Sequence, residues 1–371
     1  MMTRRGAVET GFMTTAAALL TRAGLASAVA PTAKGQGYFM PLESGPHLRT
    51  FMQWPALASI YGGKAKLEQV RKSIALIANT IGRFEPVVML VRPDQIIEAK
   101  KQLDAGVEVW PLAVEDLWCR DSGPSFLLNK EGELAVSELN FNGWGNKQVH
   151  RDDGAIAKHI ADKLKLPVFS NPVIGEGGGV ETDGAGTLLA HASSWVNRNR
   201  NKGSQGEIGT ALTEALGAEK IIWAPGVAGE DITDYHIDAL ARFVKPGQVL
   251  IQLPDKITDD DPWSAAAFET YDVLKQASDA SGRKLEIVVM RDPVDIRSSA
   301  DDFVSSYVNY YVCNGAVIMP EFGDDKADEE AASIVRQLYL DRKIVSLNID
   351  PIGEAGGGIH CATQQQPQPV T

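Results

Sequence analysis

The sequence predicts an α/β fold in which repeated modules of strands and a helix carry polar clusters to a shared centre. Three observations predict it. Strand-like and helix-like stretches alternate from about residue 48 to the end. A turn with glycine followed by an apolar strand recurs at 131–134, 184–189, 246–250 and 314–318. A polar cluster stands just upstream of each turn, centred on Asp121, Glu176, His236 with Asp238, and the stretch 305–309; a fifth, His360-Cys361, lies near the end. The first three clusters are 55 and 60 residues apart. Modules of that period arranged about an axis bring equivalent clusters together. The alternative is an ordinary α/β sheet whose glycine turns merely look alike.

Helical periodicity with polar outer faces predicts helices over 64–84, 93–105, 152–166, 205–216, 262–281 and 328–340. Short β-rich runs predict strands at 87–91, 124–128, 134–140, 187–190, 221–224, 249–253, 285–290, 316–319 and 344–347. Gly177-Gly178-Gly179-Val180-Glu181 mirrors Gly356-Gly357-Gly358-Ile359-His360. Three glycines before a strand permit close backbone approach or positive φ.

The 371 residues include 44% hydrophobic and 23% charged side chains, enough for a large core. Met1–Ala30 reads as an export signal. Arg4-Arg5 opens it, an apolar stretch follows, and Ala26-Ser27-Ala28 or Ala28-Val29-Ala30 offers a cleavage site. The paired arginines point to the twin-arginine route and a periplasmic or secreted protein; the alternative is an N-terminal extension on a cytoplasmic one. Residues 31–371 are then expected to form a single domain. The net charge is −12; Arg4, Arg5 and Arg22 against Glu9 give the first segment +2, so the remainder carries −14. A body that acidic repels nucleic acid and anionic membrane and attracts cations. No stretch after residue 30 reaches 18 consecutive apolar residues, so no membrane span is expected. Three cysteines, Cys119, Cys313 and Cys361, leave at least one free thiol.

Four positions are candidates for chemistry. Asp121, in Trp118-Cys119-Arg120-Asp121-Ser122-Gly123-Pro124, is expected at a strand end or sharp turn. There a carboxylate can bind a planar cation through paired N–H···O bonds, with Trp118 against it. The competing reading is an Asp121–Arg120 structural pair. Glu176 beside three glycines has little side-chain cover from its neighbours; the competing reading is a surface loop. His236 and Asp238 are two apart and would face one side of a strand, a pair suited to proton transfer. They can also ligate a metal, although no second histidine stands at helical spacing. Cys361 follows a glycine triplet near the chain end, a plausible nucleophile; Cys119 and Cys313 sit among apolar neighbours. Two or three carboxylates, an indole, a thiol and an imidazole together match a guanidinium carbon, which is cationic and planar.

Residues 118–124, 176–179, 231–238 and 356–367 resemble the agmatine deiminase family, which includes bacterial peptidyl-arginine deiminases. Met52-Gln53-Trp54-Pro55, residues 141–145 and residues 306–310 resemble its lesser signatures. The resemblance covers about 38–367. It implies a five-module α/β propeller of pentein type with a central active site and neither metal nor organic cofactor. It implies Cys361 as nucleophile, His236 as general acid and base, Asp121 and Asp238 on the guanidinium nitrogens, and Glu176 in support. The implied substrate is agmatine, a small cationic guanidine, with peptidyl or free arginine as the alternative. A metal-dependent hydrolase using His236, Asp238, Glu176 and Asp121 is a rival of another class, and a catalytically silent guanidinium binder is a third. The family's Asp-Thr-Asn-Gly before the histidine is replaced here by Ile232-Thr233-Asp234-Tyr235. Lys147 or Arg151 would receive the carboxylate of an arginine substrate.

Overall fold

The structure, a computed structural model, describes residues 31–369; the expected export signal lies outside them. Five separate sheets organise the described residues, each mixed in strand direction. Four share one plan. Strands Ser125–Leu128 and Leu134–Glu138 form an antiparallel hairpin, and Val168–Ser170 returns parallel to the second strand. Val180–Thr182, Thr187–His191 and Lys220–Ala224 repeat that order, as do Ala241–Lys245, Gln248–Leu253 and Glu286–Arg291. Tyr311–Cys313, Ala316–Glu321 and Lys343–Asn348 complete the set. The repeated glycines explain the hairpins: Gly132, Gly186, Gly247 and Gly315 all have φ between 75° and 100°, where a side chain is strained.

The fifth sheet joins the two ends of the described chain. Thr363–Pro367 pairs antiparallel with His47–Gln53, which runs parallel to Val87–Val91, itself parallel to Val107–Pro111. Sequence reasoning missed this last strand because Thr363-Gln364-Gln365-Gln366 reads as a polar tail. All five of its residues are buried.

Each second strand reaches its parallel neighbour through a helix: Lys64–Ile81, Ile156–Leu164, Gln205–Leu216, Pro262–Gln276 and Asp325–Leu338. The first packs Leu67, Val70, Ile74, Ile77, Ala78 and Ile81, a 3.6-residue stripe, into the core. Burying a side chain such as Ile74 contributes about 1.5–3 kcal/mol. Helix Gln205–Leu216 begins in a Ser204/Glu207 capping box and stops at Gly217, in left-handed conformation. The helix expected over 93–105 shrinks to Pro93–Gln95 and Ile96–Ala99. There the Asn79 side chain accepts from the Asp104 N–H and donates to the Gln102 carbonyl, fixing a turn instead. Among the described residues no helix is long and apolar enough to cross a membrane.

Candidate active site

Each polar cluster stands immediately ahead of the first strand of a different sheet. Asp121 is four residues before Ser125, and Glu176 four before Val180. Asp238 is three before Ala241, Asn309 two before Tyr311, and Cys361 two before Thr363. Asp121, His236, Asp238 and Cys361 line one cavity of 1460 Å³, with Trp118 and Trp144 in its wall. Glu176 is buried behind His236, which it contacts at 3.2 Å.

Local backbone differs from expectation at two points, and the surface-loop alternative for Glu176 falls. Asp121 sits on a single helical turn, Cys119–Ser122, that Gly123-Pro124 terminates. His236 and Asp238 share the cavity through a turn rather than a strand pleat. Asp234 and Tyr235 have φ of 59° and 67°, and Ile237–Ala239 makes a 3-10 turn. Glu176 is no surface residue: it is 1% exposed and held by Arg200.

The first glycine triplet serves close approach, since none of its members has positive φ. A Cβ on Gly178 would lie 2.8 Å from both Asp121 Oδ1 and His236 Nδ1, and 3.1 Å from Asp238 Oδ2. Likewise a Cβ on Gly357 would meet the Trp118 ring at 2.5 Å, and one on Gly358 would meet Asn309 Oδ1 at 2.4 Å.

Charge is concentrated here. Asp121 Oδ2 accepts from Trp144 Nε1 at 2.9 Å and Oδ1 from the Gly178 N–H at 3.1 Å. Burial pushes its carboxyl up; His236 opposes that, Asp238 and Glu176 add to it, and the pKa reaches about 6. For His236, burial works against the charged ring. Asp121, whose Oδ1 is 3.7 Å from Nδ1, together with Glu176 and Asp238 outweighs burial and raises it to about 9. Burial also disfavours ionised Glu176, but His236 and Arg200 hold it below the usual carboxylate range. In Asp238 burial is overcome by His360, 2.7 Å from Oδ2, and by His236 and Arg120. Its Oδ1 is buried without a hydrogen-bond partner.

Cys361 Sγ lies 3.6 Å from Asp238 Oδ2 and accepts from Asn309 Nδ2 at 3.2 Å. Burial, Asp238 and Asp121 push its thiol well above the ordinary range. Cys119 and Cys313 are buried in apolar clusters, as expected.

Sequence reasoning missed the supporting shell. Arg200 Nε grips Glu176 at 2.8 and 2.9 Å and its Nη1 reaches Asp234 Oδ2 at 2.7 Å. Asp234 also takes Lys147 Nζ at 2.9 Å, Asn199 Nδ2 at 3.2 Å and the Gly229 N–H at 2.8 Å. These bonds pin the left-handed Asp234-Tyr235 pair that launches His236. Lys147, expected to receive a substrate carboxylate, is therefore committed to Asp234, and Arg151 does not line the cavity. The other lysine of the cavity wall, Lys66, pairs with Glu354. Among the described residues no group of three or more His, Cys, Asp or Glu side chains is arranged to hold a metal ion.

The model of the Porphyromonas-type peptidyl-arginine deiminase family matches residues 39–367. The chain belongs to that family. The agmatine deiminase of Pseudomonas aeruginosa is 34% identical over 364 residues, covering 91% of this chain and 98% of its own. That of Stutzerimonas stutzeri shows the same identity and coverage. The solved agmatine deiminase of Enterococcus faecalis superposes with a TM-score of 0.84 at 29% identity, over 92% of this chain and 99% of its own. Members of this family are hydrolases of guanidino C–N bonds, and so is this chain.

Proposed function

We propose that the chain converts agmatine to N-carbamoylputrescine and ammonia through a covalent adduct on Cys361. The observation that carries the reading is the unpartnered, buried Oδ1 of Asp238, on a residue lining the cavity it shares with Cys361 and Asp121. A buried carboxylate oxygen without a donor is costly, and a guanidinium N–H removes that cost. Asp121 and Asp238 hold the guanidinium nitrogens while Trp118 flanks the plane.

Docking of the cation offsets the carboxylates that suppress the thiol, so Cys361 gives up its proton to solvent. Sγ then bonds to the guanidinium carbon. The carbon–nitrogen bond to the departing nitrogen breaks as protonated His236 gives it a proton, and ammonia leaves. A thiouronium remains on Cys361. Neutral His236 next takes a proton from water as its oxygen adds to that carbon; the C–S bond breaks and the ureido product departs.

Agmatine is favoured over free or C-terminal arginine because both lysines of the cavity wall are already paired and neither is free to receive a carboxylate. The same reading places the five sheets about one axis, with the site at the centre, since each sheet supplies one site loop. It also includes export of the chain through the Arg4-Arg5 signal.

The test is ammonia release by protein lacking Met1–Ala30, offered agmatine, arginine and a peptide ending in arginine. Agmatine turnover absent from Cys361→Ala and indifferent to a chelator is expected. Activity lost to the chelator and restored by zinc or manganese refutes the thiol mechanism in favour of a metal-dependent hydrolase.

A further inference from the structure

Behind Asp238 lies a second polar assembly that contributes no group to the reaction described above. Glu43, on the loop before the His47–Gln53 strand, is buried at its heart. Its Oε2 lies 3.0 Å from Arg120 Nη2, 3.0 Å from Arg242 Nη2 and 2.8 Å from His360 Nε2. Its Oε1 accepts from the Val312 N–H at 2.9 Å, and Arg242 turns its Nε to Glu181 at 3.1 Å. One carboxylate thus ties together residues that precede or open strands of four sheets.

The useful feature is His360. Its Nδ1 faces Asp238 Oδ2 at 2.7 Å and its Nε2 faces Glu43 Oε2 at 2.8 Å. Both partners are acceptors, so holding both contacts takes an N–H on each ring nitrogen, and the ring cannot turn without losing one. The ring spans two carboxylates of fixed position. It therefore fixes which oxygen of Asp238 is satisfied by the imidazole, Oδ2, and which stays buried without a partner, Oδ1.

We infer that Glu43 and His360 are positioning residues: through the Glu43–His360–Asp238 chain they aim the free oxygen of Asp238 at the guanidinium. Neither residue needs to touch substrate. The inference rests on the deimination reading only in taking a guanidinium as the ligand.

Two conservative variants separate positioning from simple structural support. Asn at 360 keeps an amide near the place of Nδ1, toward Asp238; Gln keeps one near the place of Nε2, toward Glu43. Both break the chain and both should cost similar thermal stability. His360→Gln is expected to lower kcat/KM for agmatine by about 10- to 100-fold, the loss of one charge-assisted bond. His360→Asn is expected to lose less than about fivefold, because the Asp238 contact survives. Calorimetric agmatine binding in a Cys361→Ala background should show the same order. That readout survives even if no guanidine is turned over, an outcome that sinks the deimination reading alone. Equal losses in the two variants, or wild-type behaviour in both, overturn the inference. Should neither variant fold, Glu43→Gln in the Cys361→Ala background carries the test. Agmatine binding weakened at least about threefold supports the chain, and unchanged binding refutes it.

Discussion

Asp121→Asn separates two roles that one carboxylate performs. Its oxygen is 3.7 Å from His236 Nδ1, and it is the foremost charge holding that imidazole up at about 9. Near pH 9 a carboxylate whose own pKa is about 6 is fully ionised, so the substitution removes a whole charge. At about 4 Å and an effective dielectric constant of about 20, such a pair is worth roughly 4 kcal/mol, or about three pH units at most. Glu176 and Asp238 remain, and the burial that opposes the charged ring remains with them. His236 should then titrate between about 6.5 and 8 rather than near 9. Asparagine keeps the side-chain size but has one acceptor oxygen, so it can accept from Trp144 Nε1 or from the Gly178 N–H and not from both. The assay is an NMR titration of the His236 ring in protein with and without the substitution. Turnover should fall as well, by about 10- to 150-fold in kcat/KM, the value of a charge-assisted bond to the guanidinium. A His236 titration left at about 9 refutes the electrostatic account, whatever happens to the rate.

Four further outcomes are expected. Gly178→Ala puts a methyl 2.8 Å from Asp121 Oδ1 and His236 Nδ1 and should cut kcat at least about 100-fold, measurable by ammonia release, with wild-type rate refuting the close-approach argument. Agmatine should exceed free arginine in kcat/KM by at least about 100-fold, because Lys66 and Lys147 are both paired; Lys147→Met should not widen the gap, since it removes no free cation. Cys361, with its thiol pushed up by burial and by Asp238 and Asp121, should react with iodoacetamide at pH 7.5 at least about tenfold more slowly than a free thiol, as followed by mass spectrometry. Asp238→Asn should speed that alkylation by removing one of the charges that oppose the thiolate.

The readable part of the fold was local. A glycine needed at positive φ marks a hairpin wherever it occurs, so Gly132, Gly186, Gly247 and Gly315 announced four sheets before any pairing was known. Asp121, Glu176, Asp238 and Cys361 were found because glycines or turns crowd them, and those glycines are there to let acidic and imidazole groups approach. What failed was long-range. Glu43 lies in an unremarkable loop, and its partners Arg120, Val312 and His360 are 77, 269 and 317 residues away. Arg200 looked like one basic residue in a polar run, yet its guanidinium is fully enclosed between Glu176 and Asp234. No window of neighbouring residues contains that information. Asp234 and Tyr235 show the same limit. Neither a short acid nor a bulky aromatic signals two consecutive left-handed residues. Their strain is met by bonds from Lys147, Asn199, Arg200 and Gly229, and by Tyr235 stacking on His191 at 4.6 Å.

The proposed mechanism gives the site's electrostatics an internal opposition that favours a cationic ligand. Two carboxylates beside one thiol are a poor way to make a thiolate: Asp238 and Asp121 both push Cys361 upward. They are also a poor way to keep His236 neutral, since the same groups hold it protonated to about 9. A resting site of thiol and imidazolium is therefore the state the carboxylates enforce, and it has the acid in place but no nucleophile. A neutral ligand changes nothing in that balance. A guanidinium bound as proposed does, because its charge then falls among the carboxylates and offsets the field at sulfur, while Arg200 and His360 continue to hold Glu176 and Asp238 ionised. In the proposed mechanism the groups that bind the substrate are thus the groups whose neutralisation releases the nucleophile. Binding and activation become one event, and a molecule that cannot satisfy Asp121 and Asp238 leaves Cys361 protonated.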